Sequence, residues 1–518
     1  MATMAYIPND PMAVGGPPMR QVAARSQPRG SAGFDLQPVV PAGMYRPDTP
    51  EFGHWQASEA LIRGLRTWRV LTGEYPPAWI GNQRTLQVLT DAGDDLNAFY
   101  DRVSLQFFHH QYGGRLTHSA ESVDVVVHEE GHALLDMIRP DFFDVPFLEV
   151  AALHEAFGDC LAVLTALEDR IIREAVVDSS PDLEDGQFVE ALAEELGDAI
   201  LQEFGPASVE AGALRHARNG FRWSDPTRLP PSAPADTLSA EAHSFSRVFS
   251  GAFYDTVRAI YRAGPHTAPA LARAARTAGR LLIAAVRTVP ATPRTFEGVG
   301  RRMLSSDVTL NGGVHVAAIR GAFEAHGLPL PAPSVSLPVP LPGGRTRGAA
   351  SSQLRERMGM PVGTRLTYTE ATSVVDGDIA HVAAYRSVEV TVHGLDGIHI
   401  QVPGTARVRT RGRSVVGVLG EIHPAEGDVE AEGLAFARAL VANGDVAGLD
   451  ADVTPGPRRR LRGPARIAGA MPPRQAGSPF PPTHRIVRLN GEPTIVRIGF
   501  ARRARGTVAG AVRDGQAL

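Results

Sequence analysis

The sequence has a single cysteine, Cys160, and no lysine. One thiol excludes an intrachain disulfide framework and any CxxC zinc or redox motif. A metal site in this chain must therefore be built from histidine and carboxylate, and 17 histidines are present to draw on. All 52 basic residues are arginine, and against 56 acidic ones they leave a net charge of −4. That balance argues against a dedicated nucleic-acid binder and against a strongly basic membrane-surface protein. Arginine in place of lysine, with abundant Ala, Gly and Pro, reads as the codon bias of a GC-rich genome. Long apolar runs are also missing. No window approaches the run of about 18 apolar residues that marks a transmembrane helix. Prolines cut the N-terminal stretch repeatedly, so no signal-peptide run is found there. A cytoplasmic location follows by default, with leaderless export as the alternative.

What is present is an ordinary globular balance of 43% apolar and 21% charged residues over 518 positions, enough for a sizeable core and about three domains. Residues 1–50 read as a flexible Pro/Gly-rich arm. A compact region spans 51–328. Within it, Leu61, Ile62, Leu65 and Trp68 share a helical face that Gly73 would end, and 83–110 reads as β structure. Phe188, Leu192, Leu196 and Ile200 predict a helix ending at Gly205, and further helices are expected over 238–262, 267–288, 293–306 and 312–326. Residues 329–350 form a Pro-rich linker. The segment 351–454 reads as a separate β-rich domain with one helix near 428–443. Residues 455–482 form a second linker, rich in Arg and Pro. The tail 483–518 opens with a hairpin turning at Asn490-Gly491.

The stretch VDVVVHEEGHALLDMI carries H-E-x-x-H as His128, Glu129, Glu130, Gly131 and His132. Four residues are just over one helical turn, so both imidazoles leave the same face and can bind one cation. Glu129 is placed to act as general base on a metal-bound water without being a ligand. A catalytic zinc needs a third protein ligand and an open position for water. The next apolar segment, FLEVAALHEAFGDCLAVLTAL, offers Glu155, with Asp159 one turn later. Carboxylates among Ala, Leu, Phe and Val would be costly if unpaired. Ligation removes that cost for Glu155, and Asp159 can accept the free N–H of a ligating histidine. His154 is a competing ligand, but it points about 100° away from Glu155 around the helix. Cys160 fits best as a small buried residue behind Asp159.

These blocks resemble the thermolysin-like zinc metallopeptidases, the gluzincins with a second-helix E-x-x-x-D. Asn97-Ala98-Phe99-Tyr100 is similar to the family's edge strand, DVVVHEEGHA to its active-site helix, and HEAFGDCLAVL to its second zinc helix. Ala213-Leu214-Arg215, ahead of Ser224-Asp225-Pro226, resembles the substrate-binding arginine segment. AHSFSRVFSGAFYD resembles the later helix bearing a catalytic histidine. TFEGVGRRMLSS and HVAAIRGAFEAHGL are similar to the closing helices.

The resemblance covers about 55–328. It implies an α+β, two-lobed zincin domain with a β-containing N-lobe and a helical C-lobe, followed by the β-rich domain. It further implies one Zn²⁺ on His128, His132 and Glu155, Glu129 as base, and His243 as oxyanion stabiliser. Asn97, Ala98 and Arg215 would hold a peptide or protein substrate, with Val125 and Leu214 lining the pocket for the residue after the scissile bond.

Some family features are missing. Residues 133–154 contain no tyrosine to assist at the oxyanion, which moves that task onto His243. Asp124 matches a calcium ligand, but its partner position is Ala166, so the usual paired calcium site is not expected. The N-lobe, about 51–119, is short. Two rival readings are a catalytically weak zinc protein that captures peptides or a partner, and an assembly protein working through 351–518. No nucleic-acid or membrane partner is expected, and the oligomeric state is left open.

Overall fold

The computed structural model describes residues 3–331, 338–339, 347–374, 377–391, 397–412, 414–448 and 482–501. Strands β1 (Thr3–Tyr6), β2 (Arg20–Ala23) and β3 (Gly33–Gln37) precede helix α1 (Pro50–Thr72). Next come β4 (Thr85–Leu89), β5 (Ala98–Tyr100), β6 (Ser104–Phe107), β7 (His109–Tyr112) and β8 (Arg115–His118). Helices α2 (Val123–Ile138), α3 (Leu148–Glu168), α4 (Arg170–Ser179) and α5 (Glu194–Phe204) follow, with α5 flanked by β9 (Ala191–Leu192) and β10 (Arg215–His216). Four more helices complete this region: α6 (Ala242–Arg262), α7 (Ala268–Thr288), α8 (Thr295–Asn311) and α9 (Val316–Ala325). The remainder comprises β11 (Pro338–Val339), α10 (Arg347–Arg357), β12 (Thr367–Val374), β13 (Gly377–Glu389), β14 (His399–Arg411) and β15 (Ser414–Leu419). It ends with α11 (Asp428–Ala442), β16 (Val446–Ala447), β17 (His484–Leu489), β18 (Glu492–Arg497) and β19 (Phe500–Ala501). This mixture of helix and sheet is of the expected α+β class.

Local signals explain where the main helices begin and end. Thr49 caps α1 by accepting the Phe52 N–H at 3.2 Å, Pro50 fits the first turn, and Gly73 ends the helix at φ 91° as its pattern predicts. Ser122 caps α2, and Thr267 caps α7. Helix α3 is the hub, packing against α1, α2, α6 and α7. By length and composition it could cross a membrane, yet it lies wholly inside the fold and carries His154, Glu155 and Asp159.

Four sequence readings need correction. Residues 3–50 are not a free arm. Met4, Ala5 and Tyr6 are buried, the Gln56 amide bonds both Ile7 N and Ile7 O, and β3 runs parallel to β4. Prolines in this stretch shape the connections and do not prevent order. Secondly, the helix expected from Phe188 begins only at Glu194, because Ala193 adopts φ 56° and Ala191–Leu192 pair with β10. Thirdly, the β-rich region is not separate. Arg407 and His381 bond the carbonyls of Thr288 and Arg287 at the end of α7, and one apolar core runs through both regions. Finally, the terminal hairpin is not independent: β17 pairs parallel with β16, and β18 meets β14. Its turn is as expected, with Asn490 at φ 51° and Gly491 at φ 94°. Most of the 455–482 linker lies outside the described residues.

The sheet nearest α2 has the order β19-β5-β6-β4-β3. β5 pairs antiparallel with β6 on one side and with β19 on the other.

Candidate metal centre

Helix α2 sets the first half of the centre. His128 and His132 stand one turn apart with ring centroids 4.8 Å apart and planes at 88°, both fully buried. Potential ligand atoms of His128, Glu129 and His132 lie within 4.8 Å of one another. The second half comes from α3, which crosses α2 so closely that a Cβ on Gly131 would stand 2.8 Å from the Gly158 Cα. Two glycines at one crossing let the backbones meet. Glu155 is thereby delivered to the histidine pair, its carboxylate 3.4 Å from His128 Nε2 and 3.8 Å from His132 Nε2. Ligand atoms about 2.05 Å from a tetrahedral zinc ion stand roughly 3.3 Å apart; the separation from His128 matches that, and the one from His132, to the other carboxylate oxygen, is longer.

The outer nitrogens of both imidazoles are also engaged. His128 Nδ1 lies 2.9 Å from Asp159 Oδ1, the orienting contact expected of Asp159. His132 Nδ1 faces His154 Nδ1 at 3.3 Å, so His154 stands behind a histidine and not among the ligand atoms. Burial holds His132 and His154 well below the usual histidine range, in the neutral state a metal requires. Burial alone would raise the Glu155 carboxyl, but the charge of His243 and the hydrogen bonds with His128 and His243 hold it well below the usual range. Cys160 is buried in the wall behind Asp159.

His243 enters from the start of α6. Its Nε2 lies 3.0 Å from Glu155 and its Nδ1 lies 2.7 Å from Glu241, whose carboxylate also caps the helix by accepting Ser244 N–H. Burial disfavours the imidazolium, yet Glu155 and Glu241 outweigh it and push His243 up to about 9. Glu241 itself is held down to about 2, because His243 and the hydrogen bonds it accepts overcome its burial. Sequence reasoning missed Glu241. Its signal was an acidic residue at the first position before a helix.

Arg215 is buried on β10, and its Nη2 donates to Asp159 Oδ1 at 2.8 Å. Its Nε and Nη1 have no hydrogen-bond partner among the described residues, and it lines a small cavity with Leu214, Glu241 and His243. Leu214 thus reaches this cavity, whereas Val125 is fully buried core. Asn97 precedes β5 and Ala98 begins it, in a strand that lies between β6 and β19. Asn97 Oδ1 accepts Ala98 N–H at 3.0 Å, and its Nδ2 is buried without a partner among the described residues. The side of β5 away from β6 is paired with β19, in the register Phe500↔Tyr100 and Ala501↔Phe99.

A second acidic group surrounds Asp124. Ligand atoms of Asp10, Asp124 and Glu194 lie within 4.8 Å of one another, all buried. The reading at Ala166 did not anticipate it, because Asp10 comes from the supposed arm. Glu195 N and Met12 N both donate to Asp10 Oδ1 at 2.9 Å, and burial, reinforced by the Asp124 charge, pushes its carboxyl up to about 7.

The chain matches no protein-family model and no curated protein sequence.

Proposed function

We propose that this protein is a zinc-dependent metallopeptidase that hydrolyses peptide bonds. The observation that carries the reading is the convergence of buried His128, His132 and Glu155, the carboxylate 3.4 and 3.8 Å from the two imidazoles, beside Glu129, with both outer imidazole nitrogens engaged by Asp159 and His154. A zinc ion held there would polarise a carbonyl and make a water molecule more acidic. Glu129 takes the proton of the attacking water and returns it to the leaving amine, so the amide and water become a carboxylate and an amine. His243, held charged by Glu155 and Glu241, which engage its two ring nitrogens, stabilises the developing oxyanion through its positive charge. Arg215 supplies unsatisfied donors beside it, and an extended substrate would add as a strand beside Asn97 and Ala98, on the side of β5 that β19 now occupies.

A second reading, a zinc protein that binds peptides with little turnover, is favoured by the absence of tyrosine from 133–154. Metal stoichiometry measured alongside hydrolysis of a diverse peptide library separates the two. The peptidase reading expects one zinc per chain and cleavage abolished by Glu129→Gln with zinc retained. One zinc with equal inertness of parent and variant would favour the second reading. Absence of zinc, with His128→Ala changing nothing, would end both.

A further inference from the structure

The edge that a substrate would use is already taken. Phe500, 1% exposed, is seated in an aromatic socket, its ring centroid 4.1 Å from that of His154, 4.6 Å from His132 and 5.4 Å from Phe143. Its planes are nearly parallel to both imidazoles, at 22° and 14°, and edge-on to Phe143 at 83°. The backbone on either side is fixed as well. Phe500 and Ala501 pair with Tyr100 and Phe99, while a Cβ on Gly499 would stand 2.2 Å from Phe99 Cζ and 2.8 Å from the Tyr100 carbonyl oxygen. Only glycine fits that approach. The segment is delivered by the β17–β18 hairpin, where Ile498 N bonds Thr483 O at 2.9 Å and Arg497 Nε bonds Phe143 O at 3.1 Å. An aromatic side chain, a strand register and a required glycine form a peptide-recognition mode, with affinity from the backbone and specificity from a side-chain socket.

We propose that Ala98–Tyr100 and the socket of His132, His154 and Phe143 form a peptide-binding site for extended Gly-aromatic-small segments, and that the chain's own Gly499-Phe500-Ala501 is its resident occupant, keeping the protein self-blocked. The proposal deepens the metallopeptidase reading by naming the sequence class its cleft accepts. Because the occupant is tethered, its effective concentration is on the order of millimolar, and a free peptide must outcompete it. The apparent affinity for an added peptide is then reduced by the fraction of chains whose segment is displaced.

The test uses the full chain in a Glu129→Gln background, so that binding is read without turnover. The probe is a fluorescein-labelled peptide of residues 498–502, Ile-Gly-Phe-Ala-Arg, followed by anisotropy. Two variants displace the occupant independently: Phe500→Ala empties the socket, and Gly499→Ala blocks the strand pairing without altering any group at the metal ligands. Both should bind the probe at least about tenfold more tightly than the parent, as the competent fraction rises. If both are folded by circular dichroism and bind no more tightly than the parent, the proposal is overturned. Tighter binding by the variants, with no hydrolysis when Glu129 is restored, would uphold self-blocking while removing the peptidase reading.

Discussion

Replacing Gly158 by alanine tests the helix crossing that brings Glu155 to the histidine pair of the proposed zinc site. The new Cβ would stand 2.7, 2.8 and 2.9 Å from Nδ1, Cγ and Cε1 of His128. Ordinary carbon contacts lie at about 3.5–4.0 Å, so the ring or the whole helix must move by roughly 0.7 Å or more. Metal–ligand distances tolerate only about 0.2 Å. The same nitrogen is the one held at 2.9 Å by Asp159, so the displacement also breaks the contact that orients the ring. Loss of such an orienting contact costs about 10–100-fold in metal affinity, and overpacking adds about 1–3 kcal/mol of instability. Zinc affinity measured by competition with a chelating dye should therefore weaken at least about tenfold, with the fold retained by circular dichroism. Gly131→Ala, which forces the helices apart at the Gly158 Cα, should do the same. Zinc affinity within twofold of the parent in both variants would refute the reasoning that this glycine crossing sets the ligand geometry.

Asp159→Asn keeps the shape beside His128 but removes the charge, and zinc affinity should fall about 10–100-fold by the same competition assay. Asp10 binds its proton more tightly folded than unfolded, so its contribution to stability is full below about pH 4 and is lost as pH rises through its folded value near 7. Asp10→Asn should flatten that decline by up to about 1.4 kcal/mol per pH unit, read by urea unfolding from pH 4 to 7. Glu130 is buried against Gly64 with neither carboxyl oxygen partnered among the described residues, and burial holds its carboxyl well above the usual range. Glu130→Met should therefore stabilise the protein by about 1–3 kcal/mol, with the gain growing as pH rises above 4.5. Equal unfolding midpoints for parent and variant at pH 8 would contradict this.

Much of this centre is legible along the chain, for local reasons. The His128–His132 pair follows from helical spacing, and Glu155 and Asp159 stand out as charges inside an apolar helix. The caps at Thr49 and Gly73 are equally local. What stayed hidden depends on partners distant in sequence. Asp10 lies in a Pro/Gly-rich stretch whose composition suggests freedom, yet its acceptor oxygen is bonded by Glu195 N, 185 positions away. The helical spacing turns His154 away from Glu155, but nothing in its own helix shows that His132 fills that direction. The Phe188–Ile200 periodicity is genuine, and the left-handed Ala193 interrupts it. The pairing of Phe500 with Tyr100 joins segments 400 positions apart and has no local signature.

The five-stranded sheet draws β3 from the beginning of the sequence and β19 from beyond residue 499. Ribosomes add about 5–20 residues each second, so roughly 17–70 s separate the synthesis of His154 from that of Phe500. Over that interval α2, α3 and β5 are made without the strand that pairs with the outer side of β5. The sheet thus cannot be completed until almost all of its sequence has been synthesised, although four of its five strands are available within the first 107 residues.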